Sequence, residues 1–292
     1  MMTLKEIAAA GFRVLPIAGD GSKKPLVEGF GKENPEFTVA PDSFQTGDLI
    51  GFLTGPCPAF DNGDWLAVLD LDGETTLDRV ADWERQGLPI QNPPSVLRWN
   101  VDKIYLDRLR QGGAPTPPTV WVERGDAEAV RRAREQIGWT DVVLKPRRSG
   151  GAYRTHRLMA DDPLDFEAIE APAMIQPYFP GVGAEGEVSL IFFEGRFSHA
   201  IRKVAAKGDF RVQPDWGGEV TRAEPDDAEM AAAQAALAAI EEGPLLYARV
   251  DMVRDQENRP VIMELELLEP DLYLGYEAGA QARFVEAVLG RA

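Results

Sequence analysis

The stretch that most limits the fold is "ARVDMVRDQENRPVIMELELLEP", residues 248–270. It holds two apolar runs rich in strand formers, joined by the polar connection "DQENRP", and reads as an antiparallel hairpin. Asp251 sits inside the first run, and Glu264 and Glu266 inside the second. Side chains alternate along a strand, so Glu264 and Glu266 share one face, while Met263, Leu265 and Leu267 are expected to turn the other way, into a core. The connection can bring Asp251 beside the two glutamates. Three clustered carboxylates repel one another, more so when partly buried, and a cation relieves that cost. Oxygen donors suit Mg²⁺. The same three residues would also suit the wet face of a half-buried sheet.

Mg²⁺ held by few protein ligands commonly also takes phosphate oxygens. In "DVVLKPRRSGG" Lys145 ends an apolar strand, followed by the small loop Ser149-Gly150-Gly151, whose backbone N–H groups can cradle phosphate. A strand-end lysine and an ordinary turn would look the same. No Gly-Lys-Ser/Thr follows, so this is not a P-loop. Lys103, Arg202, Lys203 and Arg211 add cations within mostly apolar segments.

The chain has 292 residues, enough for two domains, with 31 Lys plus Arg against 48 Asp plus Glu and a net charge of −17. That balance argues against nucleic acid as the main partner, since such affinity rests on Lys and Arg. One cysteine, Cys57, excludes an intrachain disulfide, and two histidines, His156 and His199, offer no credible triad or histidine-rich metal site. The N-terminus lacks a sustained apolar core and no run approaches a membrane span, so a cytoplasmic protein is expected.

Along the chain, residues 1–83 alternate helix, strand and loop, the pattern of an α/β unit with a parallel sheet. The segments "FRVLPI", "LIGFLTG" and "WLAVLDLDG" read as strands, and "LKEIAAAG" and "ETTLDRVADWERQG" as helices. Residues 88–100, proline-rich, read as a connection. Helices follow at "VDKIYLDRLRQGG" and "AEAVRRAREQIG", and strands in "APTPPTVWVERGD", "DVVLKP" and "APAMIQPYFP", with "RRSGGAYRTHRL" a glycine-bearing loop running into a strand. A hairpin turns at Glu194-Gly195, and further helices fall at "DDAEMAAAQAALAAIEE" and "GAQARFVEAVLG".

From about residue 88 to the C-terminus, the stretches "NPPSVLRWNVDKIYL", "PTPPTVWV", "VVLKPRRSGGAYRTHRL", "MIQPYFP", "EGEVSLIFFEGRFSHAIRKV", "GDFRVQPDWGG" and "YARVDMV…VIMELELLEP" occur in an order that resembles ATP-grasp ligases of the glutathione-synthetase type, including the ligase of cycloserine biosynthesis. The resemblance implies an α/β ATP-grasp fold over residues 88–292, after a separate α/β part at 1–87. It implies an ATP- and Mg²⁺-dependent ligase that joins a small carboxylate to an amine through an acylphosphate. Lys103 and Lys145 would contact ATP phosphates, and the Ser149–Gly151 loop would close over the triphosphate. Gln176, Pro177, Tyr178 and Phe179 would line the adenine side through backbone groups, with Glu187 nearby. Arg202 and Arg211 would stabilise the transferred phosphoryl group, and Asp251, Glu264 and Glu266 would hold Mg²⁺. Many members carry Asn where Glu266 stands. Homodimers are frequent among such enzymes. A nucleotide-binding module without turnover is the other reading of the same residues.

Residues 1–83 instead resemble the start of a bifunctional DNA primase/polymerase domain, through "GFRVLPI", "KKPLVEGF", "LIGFLTGPCP" and "LAVLDLDG". There Asp70 and Asp72 would bind metal, and "SGGAYRTH" echoes a second motif at shifted spacing.

Overall fold

The computed structural model describes residues 15–16, 50–56, 65–70, 76–87, 90–124, 131–132, 135, 138–159 and 171–291. They belong to two compact units, one of Met1–Arg98 with Leu268–Ala292, the other of Trp99–Leu267.

In the first unit, β1 (Leu15–Pro16), β2 (Ile50–Pro56) and β3 (Trp65–Asp70) form a sheet in that order. The β1–β2 pair is parallel, as expected, but β2 and β3 pair antiparallel, so the sheet is mixed. The short link between β2 and β3 suits an antiparallel return, whereas a parallel pair needs a long crossover. Helix α1 (Thr76–Arg85) buries Val80 and Trp83, one turn apart. The expected connection at 88–100 contains a helix instead, α2 (Pro94–Asn100). Pro94 takes the first helical position, where its missing N–H costs nothing, and Val96 and Leu97 are buried. Helix α6 (Ala280–Leu289) is where the sequence puts it. The expected helices at "LKEIAAAG" and "AEAVRRAREQIG" lie mainly or wholly outside the described residues.

The second unit is built on two antiparallel sheets. Helix α3 (Tyr105–Gln111) buries Tyr105, Leu106 and Leu109, and stops at Gly112 and Gly113. The four-stranded sheet has the order β4-β7-β5-β6, from β4 (Val120–Val122), β5 (Val142–Pro146), β6 (His156–Leu158) and β7 (Ala173–Pro177). One of its faces is a core of Val122, Val142, Leu144, Ala173 and Ile175. The alternate face carries Lys145, Met174 and Gln176. A short helix, α4 (Gly181–Ala184), follows β7.

The five-stranded sheet has the order β10-β9-β8-β11-β12, from β8 (Glu187–Phe193), β9 (Arg196–Val204), β10 (Glu219–Ala223), β11 (Tyr247–Arg254) and β12 (Pro260–Glu266). The β8–β9 hairpin turns at Glu194 and Gly195, both at positive φ, as a two-residue turn between twisted strands requires. Helix α5 (Asp227–Ala238) opens with a capping box between Asp226 and Glu229 and packs small buried alanines against β11 and β12. It covers the face holding Val250, Met252 and Ile262, leaving the opposite face for charge.

Two one-residue bulges decide which side chains occupy that opposite face. In β8–β9 the pairing shifts after Phe192↔Phe197 to Ile191↔His199, so Ser198 is the extra residue. In β11–β12 it shifts between Met252↔Ile262 and Asp251↔Glu264, so Met263 is the extra residue. A bulge re-phases everything beyond it.

Candidate active site

Beyond the Met263 bulge, Asp251 lies directly across from Glu264, and Arg249 across from Glu266. On the other side of β11, Asp251 faces Ser189, and two residues along β8 Glu187 is paired with Lys203 of β9. All of these side chains share one sheet face. One oxygen from each of Asp251, Glu264 and Glu266 falls within 4.8 Å of the others. Three hard oxygen donors at that spread could hold a divalent cation such as Mg²⁺.

Four carboxylates, Glu187, Asp251, Glu264 and Glu266, meet four cations here. Arg249 donates to Asp251 at 2.9 and 3.0 Å and lies 2.8 Å from Glu266. Lys203 pairs with Glu187 and lies 3.5 Å from Asp251. Lys145 and Lys103 reach Glu264 at 3.5 and 3.6 Å, the first from the four-stranded sheet and the second from the segment before α3. Burial alone would push every carboxyl up, but Arg249 and Lys203 outweigh it at Asp251, and Lys103 and Lys145 at Glu264, holding both at about 2. At Glu266 desolvation and the repulsion of Glu264 and Asp251 defeat Arg249, and the group is pushed up to about 8. Glu187 is also raised, by burial and then Asp251, against Lys203. The Lys145 ammonium is lowered by burial, with Glu264 opposing. The cluster's own cations thus hold Asp251 and Glu264 low, while burial and neighbouring carboxylates push Glu266 and Glu187 up.

The remaining expected residues lie around this cluster. Lys103 donates from Nζ to the Ser149 carbonyl, and its amide N–H donates to the Arg147 carbonyl at 3.0 Å. The loop Ser149-Gly150-Gly151 follows β5, and Gly151 and Ala152 both have positive φ. The Trp216 indole donates to the Gly151 carbonyl at 3.1 Å. Gln176 is buried, and its Nε2 donates to Thr119 Oγ1, while Oε1 has no hydrogen-bond partner. Pro177 ends β7. The Tyr178 N–H is already committed to the Asp141 carbonyl, so it is not a donor for a base. Phe179 packs with Val253, Val261, Val182 and Met263. Met263 therefore does not join Leu265 and Leu267 in the opposite core, because the bulge turns it onto the carboxylate face.

Neither expected arginine is brought to the cluster. Arg202 lies on the α5 side, donating to the Glu185 carbonyl at 3.1 Å and standing 3.9 Å from Glu229. Arg211 is chelated by Asp209 and stacks 3.4 Å over Trp216. A register carried unbroken from the Glu194-Gly195 turn would set Arg202 across from Glu187. The Ser198 bulge hands that place to Lys203. Lys203 is among the cations singled out in the sequence, whereas Arg249 is a site residue that sequence reasoning missed. Its signal was available, since it stands two residues before Asp251 and so must share its face. Asp70 ends β3, and Asp72 lies outside the described residues. The "SGGAYRTH" stretch forms the loop after β5 and the start of β6.

No protein-family model matches the chain. The cycloserine biosynthesis protein DcsG of Streptomyces lavendulae is 32% identical over 218 residues, covering 68% of this chain and 72% of that one. The crystal structure of D-cycloserine synthetase DcsG matches with a TM-score of 0.64 and 30% identity, over 73% of this chain and 78% of that one. A glutathione synthetase from Vibrio parahaemolyticus is 26% identical, covering 59% of this chain but 55% of that protein, so the chain spans about half of that relative's length. Among the described residues no helix is long and apolar enough to cross a membrane. With two facing antiparallel sheets, a carboxylate triad on one and a lysine from the other reaching it, and a relative of this identity and coverage, the chain belongs to the ATP-grasp ligases, enzymes that use ATP and Mg²⁺ to join a carboxylate to an amine.

Proposed function

We propose that residues 88–292 form the ATP-grasp region, with catalysis in the carboxylate–cation cluster of the second unit, and that its substrates are a small carboxylate and a small amine. The observation that supports this is the convergence of Lys103 and Lys145 on Glu264, inside the triad with Asp251 and Glu266. Asp251, Glu264 and Glu266 would hold Mg²⁺ there, and the cation would supply positive charge to offset the negative charge that develops on the transferred phosphoryl group.

In this reading Lys103 and Lys145 exchange Glu264 for ATP phosphates, while Asp251, Glu264 and Glu266 take the metal. The Ser149–Gly151 loop covers the triphosphate. The base rests against the apolar cluster of Phe179, Val253, Val261 and Met263, with Gln176, Pro177 and Tyr178 along its edge. The substrate carboxylate oxygen attacks the γ-phosphorus, the bond to the β-phosphate oxygen breaks, and ADP leaves. The amine nitrogen then attacks the acyl carbon, phosphate departs, and the amine loses a proton. Positioning and fixed charge carry both steps. Arg249 and Lys203, on the same sheet face as the three carboxylates, would receive the phosphoryl oxygens. Arg202 and Arg211 remain candidates for the same task only if β9 and the following loop rearrange. A cytoplasmic homodimer completes the reading, and size-exclusion chromatography with light scattering tests the dimer.

The test is ADP release with Mg²⁺ and ATP across a panel of amino acids and small carboxylates, with hydroxylamine present to trap acylphosphate as hydroxamate. Carboxylate-dependent ADP and hydroxamate, both lost in Glu264→Ala, are expected. ATP binding that depends on Glu264 with no turnover on any acid would leave a nucleotide-binding module instead.

A further inference from the structure

Strand β12 carries two of the three clustered carboxylates, yet it is the edge of its sheet. An edge strand has one row of backbone groups without a neighbouring strand. Before the bulge that row is met by backbone, the Ile262 N–H donating to the Pro115 carbonyl at 2.7 Å. Beyond the bulge, where Glu264 and Glu266 stand, it is met by two side chains. The Asn100 amide donates from Nδ2 to the Leu265 carbonyl at 2.8 Å and accepts the Leu267 N–H on Oδ1 at 3.0 Å. The Tyr105 hydroxyl oxygen accepts the Leu265 N–H at 3.0 Å. Both side chains are buried, Asn100 at 6% and Tyr105 at 3% exposure.

The Asn100 amide thus presents one donor and one acceptor to the strand, as a neighbouring strand's peptide groups would. A bulged edge is the part of a sheet least able to hold its own phase, because one residue of slip turns every side chain over. Lys103, which meets Glu264, lies between Asn100 and Tyr105 in the chain.

We infer that Asn100 and Tyr105 are positioning residues for the metal-binding glutamates, fixing β12 beyond Met263 so that Glu264 and Glu266 face Asp251. The inference rests on the metal role proposed above for those three carboxylates. Groups that orient metal ligands from behind typically govern affinity by roughly 10–100-fold.

The experiment is Mn²⁺ titration by electron paramagnetic resonance on the full chain with a non-hydrolysable ATP analogue. Wild type is compared with Asn100→Leu, Tyr105→Phe and Glu264→Gln. Val142→Ala serves as a stability control, from the buried face of the other sheet. Asn100→Leu is expected to weaken Mn²⁺ about tenfold, Tyr105→Phe less but in the same direction, and Val142→Ala not at all despite a lowered melting temperature. Wild-type Mn²⁺ affinity in Asn100→Leu overturns the inference. Should that variant not fold, Tyr105→Phe decides, and unchanged affinity there overturns it equally. If Glu264→Gln binds Mn²⁺ like wild type, the metal reading itself is wrong, a result separable from failure of the positioning role alone.

Discussion

Replacing Glu266 by glutamine should stabilise the metal-free protein at alkaline pH. In the folded chain this carboxyl is pushed up to about 8 from an ordinary 4.5. Between those two values the folded state holds a proton that the unfolded state has released. Glu266 therefore costs nothing below pH 4.5, costs progressively more as pH rises through the window, and costs its full amount above about 8. At about 1.36 kcal/mol per pH unit, the gap sets a ceiling of roughly 5 kcal/mol. The side chain is 29% exposed and 2.8 Å from Arg249, so screening and the lost ion pair reduce the gain to about 1–2 kcal/mol. Asp251 and Glu264, held at about 2, stay ionised throughout this window and contribute no slope. The assay is thermal unfolding by circular dichroism in EDTA at pH 5.5 and 8.5. At pH 5.5, about one unit into the window, part of the difference is already present, and the variant's margin over wild type should grow to a few degrees at pH 8.5. Equal pH slopes in the two proteins, or a variant less stable at pH 8.5, would refute the reasoning.

Lys203, 3% exposed between Glu187 and Asp251, should cost about 3–5 kcal/mol when changed to Met, because two carboxylates lose their counter-charge. Arg202→Ala, 3.9 Å from a buried Glu229 that Arg254 already pairs at 3.1 Å, should cost under about 1 kcal/mol; urea unfolding of both variants checks the order, and the reverse order would put Arg202 on the carboxylate face. At Gly186, with φ +81, a Cβ would stand 2.2 Å from the Lys203 carbonyl oxygen, so Gly186→Ala should lose more than about 2 kcal/mol in the same assay. Trp216→Phe removes the indole bond to Gly151 and should raise the KM for ATP up to about fivefold without lowering the melting temperature.

The hydrophobic alternation of "EVSLIFF", "RKV", "YARVDMV" and "VIMELELL" was enough to place β8, β9, β11 and β12, and turn chemistry placed the Glu194-Gly195 hairpin. The carboxylate triad was legible for the same reason, since residues two apart on a strand must share a face. Bulges were not legible, because they depend on packing between strands rather than on the residues of one. Arg202 was expected from the family resemblance, and it is the Ser198 bulge that sets Lys203 rather than Arg202 across from Glu187. Asn100 was hidden differently. A proline pair before "SVLRWN" reads equally as a linker or as a helix start, and only the fold shows the amide meeting residues more than 160 positions away.

The Met263 bulge brings the two halves of the proposed site together, and it can be tested by itself. Without the extra residue, a ladder running on from Met252↔Ile262 would set position 263 across from Asp251 and turn Glu264 and Glu266 toward α5. With it, Met263 and Glu264 both reach the site face, an apolar side chain against Phe179, Val253 and Val261 beside a carboxylate in the triad. Deleting Met263 shortens β12 by one and lets Glu264 take the place across from Asp251 in a regular ladder, so the triad should survive while the apolar neighbour is lost. Met263→Ser keeps the bulge and removes only the apolar contact. Both variants should weaken binding of a fluorescent ATP analogue by roughly five- to tenfold, the value of about 1 kcal/mol of lost burial. Both should keep Mn²⁺ affinity within about threefold of wild type, a change under 1 kcal/mol. Loss of Mn²⁺ binding in the deletion but not in Met263→Ser would mean that the bulge geometry itself, and not merely the register it sets, holds the carboxylates in place.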